Sequence, residues 1–565
     1  ISGMHITLFA WVAAGLVNAL WRRSARAMLW IPAPLAARWC GLALALAYAL
    51  LAGWGLPAQR TVGMLGLTVL MRSLGAPWPP ALLCLVAGAL VVLWDPWALL
   101  QPGFWLSFMA VGLLIASDAG QGRMAADGLV VAPARAETPP GGRRWRALLD
   151  AGKSGLRGQW LVTVGLAPLT LLLFQQLSLV GLLANLVAVP LVTWVVTPLA
   201  LAGVAWPACW TAAGWVLQPL LAWLGWLASW PHAVWHVPAA SAWAAGLALL
   251  GAALLMLPLP WRLRALAVPL CLPLLWPPVQ RPAPGEFELI AADVGQGSAV
   301  IVRTAGHTLL HDAGPQFNAE TDAGQRVLLP LLQSMGTTQL DELLLSHRDA
   351  DHVGGAASVL AGLPVQRLRS TLDPAHPLRA SPVPHLDCAA GQRWVWDGVA
   401  FEVLHPQPGA SRLGVKPNHL SCVLRVRSAA GQSALITGDL EAEQEGALVH
   451  RLGAALQSTV LLVPHHGSRT SSTPDFLAAV QPQWSVVQAA YRSRFGHPHP
   501  EVLARYQARG LALVRTDQCG AWIWQSNGAT CTRDVRRRYW HWRDRPALPV
   551  AGAVVANPPT VGDRE

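Results

Sequence analysis

Apolar runs long enough to cross a bilayer as helices recur through the first half of the chain. They lie at approximately 5–21, 39–56, 61–77, 80–95, 103–117, 159–176, 178–205, 209–230, 241–258 and 265–279. Repeated runs of this kind leave few choices of fold, because backbone in lipid must satisfy its own hydrogen bonds. Charge divides at the same place. Up to Pro282 there are 16 Lys and Arg against 5 Asp and Glu; from Ala283 onward there are 25 and 25. The net charge of +11 therefore sits in the apolar half, with 22 of the 29 Trp. Interfacial Trp and Arg-bearing short loops mark a multispanning membrane segment. Only 13% of the chain is charged, where a soluble domain carries about 25%, which argues against one compact soluble globule. The neutral second half offers no broad basic footprint for nucleic acid.

Basic loops set an orientation. Arg22, Arg23 and Arg26 follow the first run, and Arg262 and Arg264 precede the last. The long polar loop at about 118–158 carries Arg123, Arg135, Arg143, Arg144, Arg146, Lys153 and Arg157. With ten spans all three clusters face the cytoplasm, and the second half lies on the other side. One span more or fewer after residue 158 reverses that outcome. His5 and Asn185 are polar groups inside apolar runs. Each is either an ordinary interfacial or helix-joining group or a lining of a membrane pathway. The sequence opens at Ile1 inside an apolar pattern, with no signal peptide, as expected of a piece of a longer chain.

Beyond a Pro-rich linker near Pro273–Gly285 the pattern changes to short strands and helices. Residues 286–292, 298–303 and 308–311 read as strands, and 340–517 as a layered α/β domain. The expected organisation is a polytopic membrane domain over 1–280, an α/β domain over 283–545 and a flexible tail over 546–565. Cys40, Cys84, Cys209 and Cys271 read as packing residues. Cys519 and Cys531 flank a hairpin-like stretch and can pair if the domain lies outside the cytoplasm.

The densest chemical signal is Ser346-His347-Arg348-Asp349-Ala350-Asp351-His352-Val353-Gly354-Gly355. Four ligand-type side chains stand within six residues where strand 343–345 gives way to a helix. His347 and Asp349 have the spacing to face one metal, and Asp351 and His352 a second. Imidazole with carboxylate suits Zn, Mn or Fe. A helix cap needs one carboxylate and explains neither His. Asp439 ends the strand-like Ala434–Thr437 stretch, and His465 and His466 follow strand 460–463. Each stands just past a strand end, where open α/β sheets build their sites.

These residues resemble the metallo-β-lactamase fold family. The run His347-x-Asp349-x-Asp351-His352 is similar to its H-x-H-x-D-H motif, with Asp349 in place of the middle His. The resemblance implies one or two metal ions, Mn or Zn, held by His347, Asp349, Asp351, His352, a bridging Asp439, and His465 or His466. Asp293, in Asp293-Val294-Gly295-Gln296-Gly297, matches an early Asp that supports rather than ligates. The family's lone middle His has no clear counterpart; His405 and His419 are candidates. His497, in Gly496-His497-Pro498-His499-Pro500, is a further candidate as ligand or general acid.

Taken together the halves resemble the ComEC family of competence proteins. The membrane half carries ISGMHITL, QPGFWLSFMAVGLL and LLANLVAVPL. The second half carries DVGQG, SHRDADHVGG, TGD, PHHGSRTSS and GHPHPEV in that family's order. The implied fold is a multispanning α-helical membrane domain followed by an α/β metallo-β-lactamase-like (αββα sandwich) domain. The implied function is an inner-membrane DNA-uptake channel for natural transformation that passes a single strand. Its hydrolase domain would cleave phosphodiester bonds of the other strand. Asp349, Asp351 and His497 would serve the reaction directly, with Ser468, Arg469 and Ser471 as phosphate contacts. Arg492, Arg494 and the run Arg536–Arg538 with Tyr539 and Trp540 are candidate backbone grips. Expected partners are DNA, the lipid bilayer, DNA-delivery and translocation-motor proteins, and a second copy of the chain. The alternatives are a domain that binds without catalysis, or one that hydrolyses a small phosphodiester or ester.

Overall fold

The computed structural model describes residues 3–76, 78–119, 143–257, 259–409, 415–538 and 541. Arg123 and Arg135 of the basic loop, Tyr539, Trp540 and the 546–565 segment lie outside the described residues. The chain divides into two compact units, Ile1–Pro278 and Val279–Glu565.

The first unit is helical, and each of the ten apolar runs falls on a helix. Ala33–Leu51, Gly155–Phe174 and Gly181–Ala202 are long and apolar enough to cross a membrane. His5–Trp21, Pro80–Trp94, Pro102–Ala116 and Ala242–Leu255 are shorter apolar helices. Small residues set the close packing. A Cβ on Gly41 would stand 3.0 Å from both the Ala10 carbonyl oxygen and the Ala14 Cβ, so helices Gly3–Trp21 and Ala33–Leu51 approach backbone to backbone. The run 178–205 does not break at its prolines. A π-helical stretch, Val192–Val196, links Gly181–Leu191 to Thr197–Ala202, so helical backbone continues past Pro190 and Pro198 although neither has an N–H to donate. The last run shortens instead, to the nine residues Ala267–Leu275, with Pro273 inside. Gln176–Ser178 pairs antiparallel with Val234–His236, a short ribbon that no hydropathy pattern announced.

The second unit is a sandwich of two sheets. One has eight strands in the spatial order Gly528–Cys531, Trp522–Gln525, Glu288–Ala291, Val300–Arg303, Thr308–His311, Glu342–Leu345, Leu368–Ser370, His385–Asp387. The other has seven, in the order Leu513–Arg515, Trp484–Val487, Val460–Leu462, Ser433–Ile436, Val423–Arg427, Val399–His405, Arg393–Trp396. Alternation along each strand separates the layers. Leu344 joins the core between the sheets with Leu289, Phe401, Leu424 and Trp522. Its neighbours Leu343 and Leu345 face the other way, onto Leu328, Leu332 and Val359. On the second sheet Leu435 and Leu461 meet Leu448, Phe476 and Tyr506. Central strands covered on both faces must be apolar throughout, which accounts for runs such as ELLL and VLL. The result is the αββα arrangement.

Two disulfides staple this unit. Cys519–Cys531 closes the Trp522–Cys531 hairpin, and Cys388–Cys422 joins residues 34 positions apart. The second was not legible beforehand, since neither cysteine sits in a spacing motif. Cys40, Cys84, Cys209 and Cys271 are free.

Candidate metal centre

Parallel strands end together, and the chemistry-bearing residues follow those ends. Glu342–Leu345 leads into Ser346 and His347, and Asp349 stands just before the short helix Ala350–Val353 that carries Asp351 and His352. In the second sheet Ser433–Ile436 and Val460–Leu462 are parallel neighbours. Asp439 follows the first and His465-His466 the second. Both histidines adopt left-handed backbone, φ 52° and 53°, a strain that costs about 1 kcal/mol or more per residue. The turn presents each imidazole to a different oxygen of Asp439: His465 Nε2 is 3.6 Å from Oδ2, and His466 Nε2 is 3.5 Å from Oδ1.

Asp351, His352, Asp439 and His466 converge, with one donor atom of each within 4.8 Å of the others. His352 Nε2 lies 3.1 Å from Asp439 Oδ1, and His466 Nε2 lies 3.4 Å from Asp351 Oδ2. The other ring nitrogens are committed. His466 Nδ1–H donates to the Gln488 carbonyl at 2.8 Å, and His352 Nδ1–H to Asp312 Oδ2 at 2.8 Å. Each Nε2 is thereby aimed at the other, 3.3 Å away, and at the Asp351 and Asp439 carboxylates. Two imidazoles and two carboxylates so crowded favour positive charge between them, and a carboxylate behind a ligating imidazole is the usual support. Asp439 Oδ1 and His347 Nε2 are buried with no hydrogen-bond partner among the described residues. The donors present therefore fit a divalent metal ion.

Electrostatics point the same way. Burial opposes ionisation of Asp439, yet His352 and His466 hold its carboxyl well below the usual range. Burial also opposes ionisation of Asp351, yet the hydrogen bond from His466 and the charge of His352 bring it to about 2. Burial disfavours a charged His352, but Asp439 and Asp312 hold its pKa well above the ordinary value. All three shifts favour positive charge between the two carboxylates, where a cation would sit.

The other expected residues take different places. His347 Nε2 lies 3.6 Å from Asp349 Oδ2, outside the four-donor group, and the Asp349 side chain is 43% exposed. His405 turns its Nδ1 to the Ser421 carbonyl at 2.9 Å, and His419 pairs with Glu441 at 3.2 Å, so neither joins the group. The His497 ring sits 5.8 Å from His465 and 6.4 Å from His466. Burial first, then those imidazoles, push its pKa down to about 4. Ser471 is buried and donates to the Pro464 carbonyl, so its hydroxyl shapes the turn rather than facing a ligand. Ser468 Oγ is 3.1 Å from Thr470 Oγ1, and Arg469 is exposed. In the first unit His5 is half-buried and Asn185 exposed.

Two carboxylates outside the group hold structure around it. Asp293 pairs with Arg533 at 2.8 Å. Asp312 is the one that touches a converging donor. It accepts from Ser346 N–H at 2.7 Å, from Ser346 Oγ at 2.8 Å and from His352, and it is fully buried with φ 59°. The signal was present in the sequence. His311-Asp312-Ala313-Gly314 is a strand ending in a carboxylate, the same pattern as Thr437-Gly438-Asp439. Gln488, whose carbonyl orients His466, carried no such signal.

Comparison with known proteins places this geometry. Residues 1–262 match the Competence family, described as competence protein, and residues 292–489 match the metallo-beta-lactamase superfamily. Competence protein ComA of Neisseria gonorrhoeae is 36% identical over 559 residues, covering 97% of this chain and 73% of that protein. The chain belongs to the competence protein family. Two further relatives are similar along most of the chain. The uncharacterized protein YcaI of Escherichia coli K12 is 32% identical, over 92% of this chain and 65% of that protein. Recombination protein 2 of Haemophilus influenzae is 28% identical, over 85% and 62%. The chain thus spans about two thirds of the length of these curated relatives. Members of this competence family are membrane proteins, in keeping with the three helices above. All four converging donors fall inside the metallo-beta-lactamase match.

Proposed function

We infer that this chain is a DNA-uptake membrane protein whose second unit hydrolyses phosphodiester bonds with a divalent metal, Mn or Zn. The observation that carries the reading is the convergence of Asp351, His352, Asp439 and His466 at strand ends of a metallo-beta-lactamase superfamily unit, joined to a competence membrane segment. His352, His466, Asp351 and Asp439 would hold one ion. His347 and Asp349, 3.6 Å apart, and His465, 3.6 Å from Asp439, would be the residues to hold a second ion. A bound divalent ion supplies electrostatic activation of water and neutralises charge on phosphate oxygens. The chain's own residues then do the positioning. Asp312 fixes the His352 ring, the Gln488 carbonyl fixes His466, and Thr470 Oγ1, 3.1 Å from His465 Nδ1, steadies that ring. His497 borders the cleft as a ligand or proton carrier for the leaving oxygen.

The hydrolase unit belongs on the non-cytoplasmic side of the inner membrane in this reading. The basic loops of the first unit support it, and so do two disulfides, which persist outside reducing compartments. A strand that is not transported would meet the site there. The transported strand would pass the first unit, where His5 and Asn185 are candidate pathway groups. Delivery and motor proteins and a second copy of the chain are the expected partners.

The test uses the full chain in detergent, stripped of metal, with end-labelled single- and double-stranded DNA. Cleavage restored by Mn or Zn and abolished in Asp439→Asn and Asp349→Ala supports the reading. A folded, metal-loaded chain that cleaves a small phosphodiester but no DNA overturns the substrate. One that cleaves neither overturns the catalysis.

A further inference from the structure

Between strand Trp484–Val487 and His497 the chain makes a short turn, Tyr491-Arg492-Ser493-Arg494-Phe495. Tyr491 is 45% exposed and Phe495 53%. Among the described residues of the second unit, Phe317 is the other large aromatic so exposed. Two of three such rings therefore stand within five residues. Each carries a guanidinium on its face: Arg492 lies 5.3 Å from the Tyr491 centroid, and Arg494 lies 4.7 Å from the Phe495 centroid. Among the described residues neither arginine has a carboxylate within ion-pair distance. In a unit whose charge is otherwise balanced, this is an uncompensated local positive patch.

The turn is held in shape. Ser493 N–H donates to the Ala490 carbonyl at 3.2 Å, and Gly496 N–H to the Ser493 carbonyl at 3.0 Å. Ser493 Oγ donates to Gln296 Oε1 at 2.8 Å, which gives the Gly295-Gln296-Gly297 loop a purpose the metal does not require. Arg492 keeps a left-handed φ of 52°. The turn also adjoins the candidate centre. The Phe495 ring is 5.9 Å from His497, tilted 30°, and His497 is 6.4 Å from His466, tilted 21°.

We propose that Tyr491 and Phe495 form a base-stacking platform, with Arg492 and Arg494 on the backbone, that grips single-stranded nucleic acid at the rim of the metal site. The proposal deepens the hydrolase reading and rests on it for the class of ligand. An aromatic face accepts any base, and guanidinium groups accept phosphate. A duplex offers its phosphates, but its bases are already stacked on one another. The occupant is therefore an unpaired stretch, and the rigid turn meets it without paying much ordering entropy.

The experiment measures binding to the full chain in detergent, with chelator present so that strands survive. The probes are fluorescent oligo-dT, an abasic strand of equal length, and a duplex. Base-bearing strand should bind about 25-fold tighter than abasic strand, each of the two rings adding about the fivefold of a weak base–aromatic stack. Tyr491→Ala and Phe495→Ala should each lower that ratio about fivefold. Phe495→Trp should keep it, while Phe495→Leu, which retains apolar bulk, should lose it. Arg492→Ala and Arg494→Ala should weaken both strands alike and reduce the slope of log affinity against log salt by about 0.7 each. An unchanged ratio in the Tyr491→Ala/Phe495→Ala double variant, or tighter binding of the duplex, overturns the platform. Metal-dependent DNA cleavage with an unmoved ratio leaves the hydrolase standing without the platform. A ratio that falls while no metal supports cleavage leaves the platform standing without the hydrolase.

Discussion

His352 Nε2 faces His466 Nε2 across 3.3 Å, although 114 positions separate them in the chain. One imidazole comes from a helix that follows the first sheet, the other from a turn that follows the second. Each has its Nδ1 engaged elsewhere, so both Nε2 atoms are left facing one space. That opposition, with Asp439 and Asp351 beside it, is what makes a cation the natural occupant.

The Asp312 carboxylate orients His352 without joining the four-donor group. Asp312→Asn keeps the side-chain size and tolerates the left-handed backbone. It should lower metal affinity about 10- to 100-fold, the usual cost of removing a carboxylate behind a ligating histidine. Titration calorimetry with Zn on the full chain measures this, and an affinity within twofold of the unmodified chain would count against the positioning role.

His466 and His465 should separate by stoichiometry. His466 belongs to the converging group, whereas His465 meets only the far oxygen of Asp439. Elemental analysis after dialysis should find His466→Ala depleted of its tightest ion. His465→Ala should retain that ion and lose only a weaker second one.

Four of the eight cysteines should resist alkylation in the unreduced, denatured chain: Cys388, Cys422, Cys519 and Cys531. Mass spectrometry before and after reduction reads the count directly. Replacing Cys388 and Cys422 with Ser should cost about 2–4 kcal/mol of stability, in keeping with a cross-link of 34 positions.

Asp397 gives a pH dependence remote from the metal. Hydrogen bonds from Thr304 Oγ1 at 2.6 Å, from His307 and from Gly306 N–H outweigh burial and bring its carboxyl to about 2. A carboxyl lower in the folded than in the unfolded state adds stability above about pH 4, its unfolded value. That contribution fades as pH falls through about 2. Asp397→Asn should therefore melt lower at neutral pH, by about 1 kcal/mol after allowance for solvent screening. Melting curves of the two chains should converge between about pH 4 and pH 2.

Much of the candidate site is visible in the primary structure because it is local. A run such as Leu343–Leu345 must be a covered strand, and Ser346–His352 must begin where it stops. The same holds for Thr437–Asp439 and for Pro464–His466. What is not local was missed. Asp293 and Asp312 both stand near strand ends, but only Asp312 follows a strand lying parallel and adjacent to Glu342–Leu345, which sets it beside Ser346 and His352. His466 rather than His465 joins the four-donor group with its Nδ1 held by the Gln488 carbonyl, 22 positions on, a partner no local pattern announces. Cys388, just after His385–Asp387 of one sheet, meets Cys422, just before Val423–Arg427 of the other, in the core between them.

The sequence by itself determined the division into an apolar helical half and a balanced α/β half. Hydropathy period and charge act within a few residues, and water or lipid reads them directly. It also determined which residue types wait at the strand ends. The tertiary structure decided which of those residues meet. Strand order, parallel adjacency and the stacking of two sheets bring together atoms more than a hundred positions apart, and coordination depends on those distances alone.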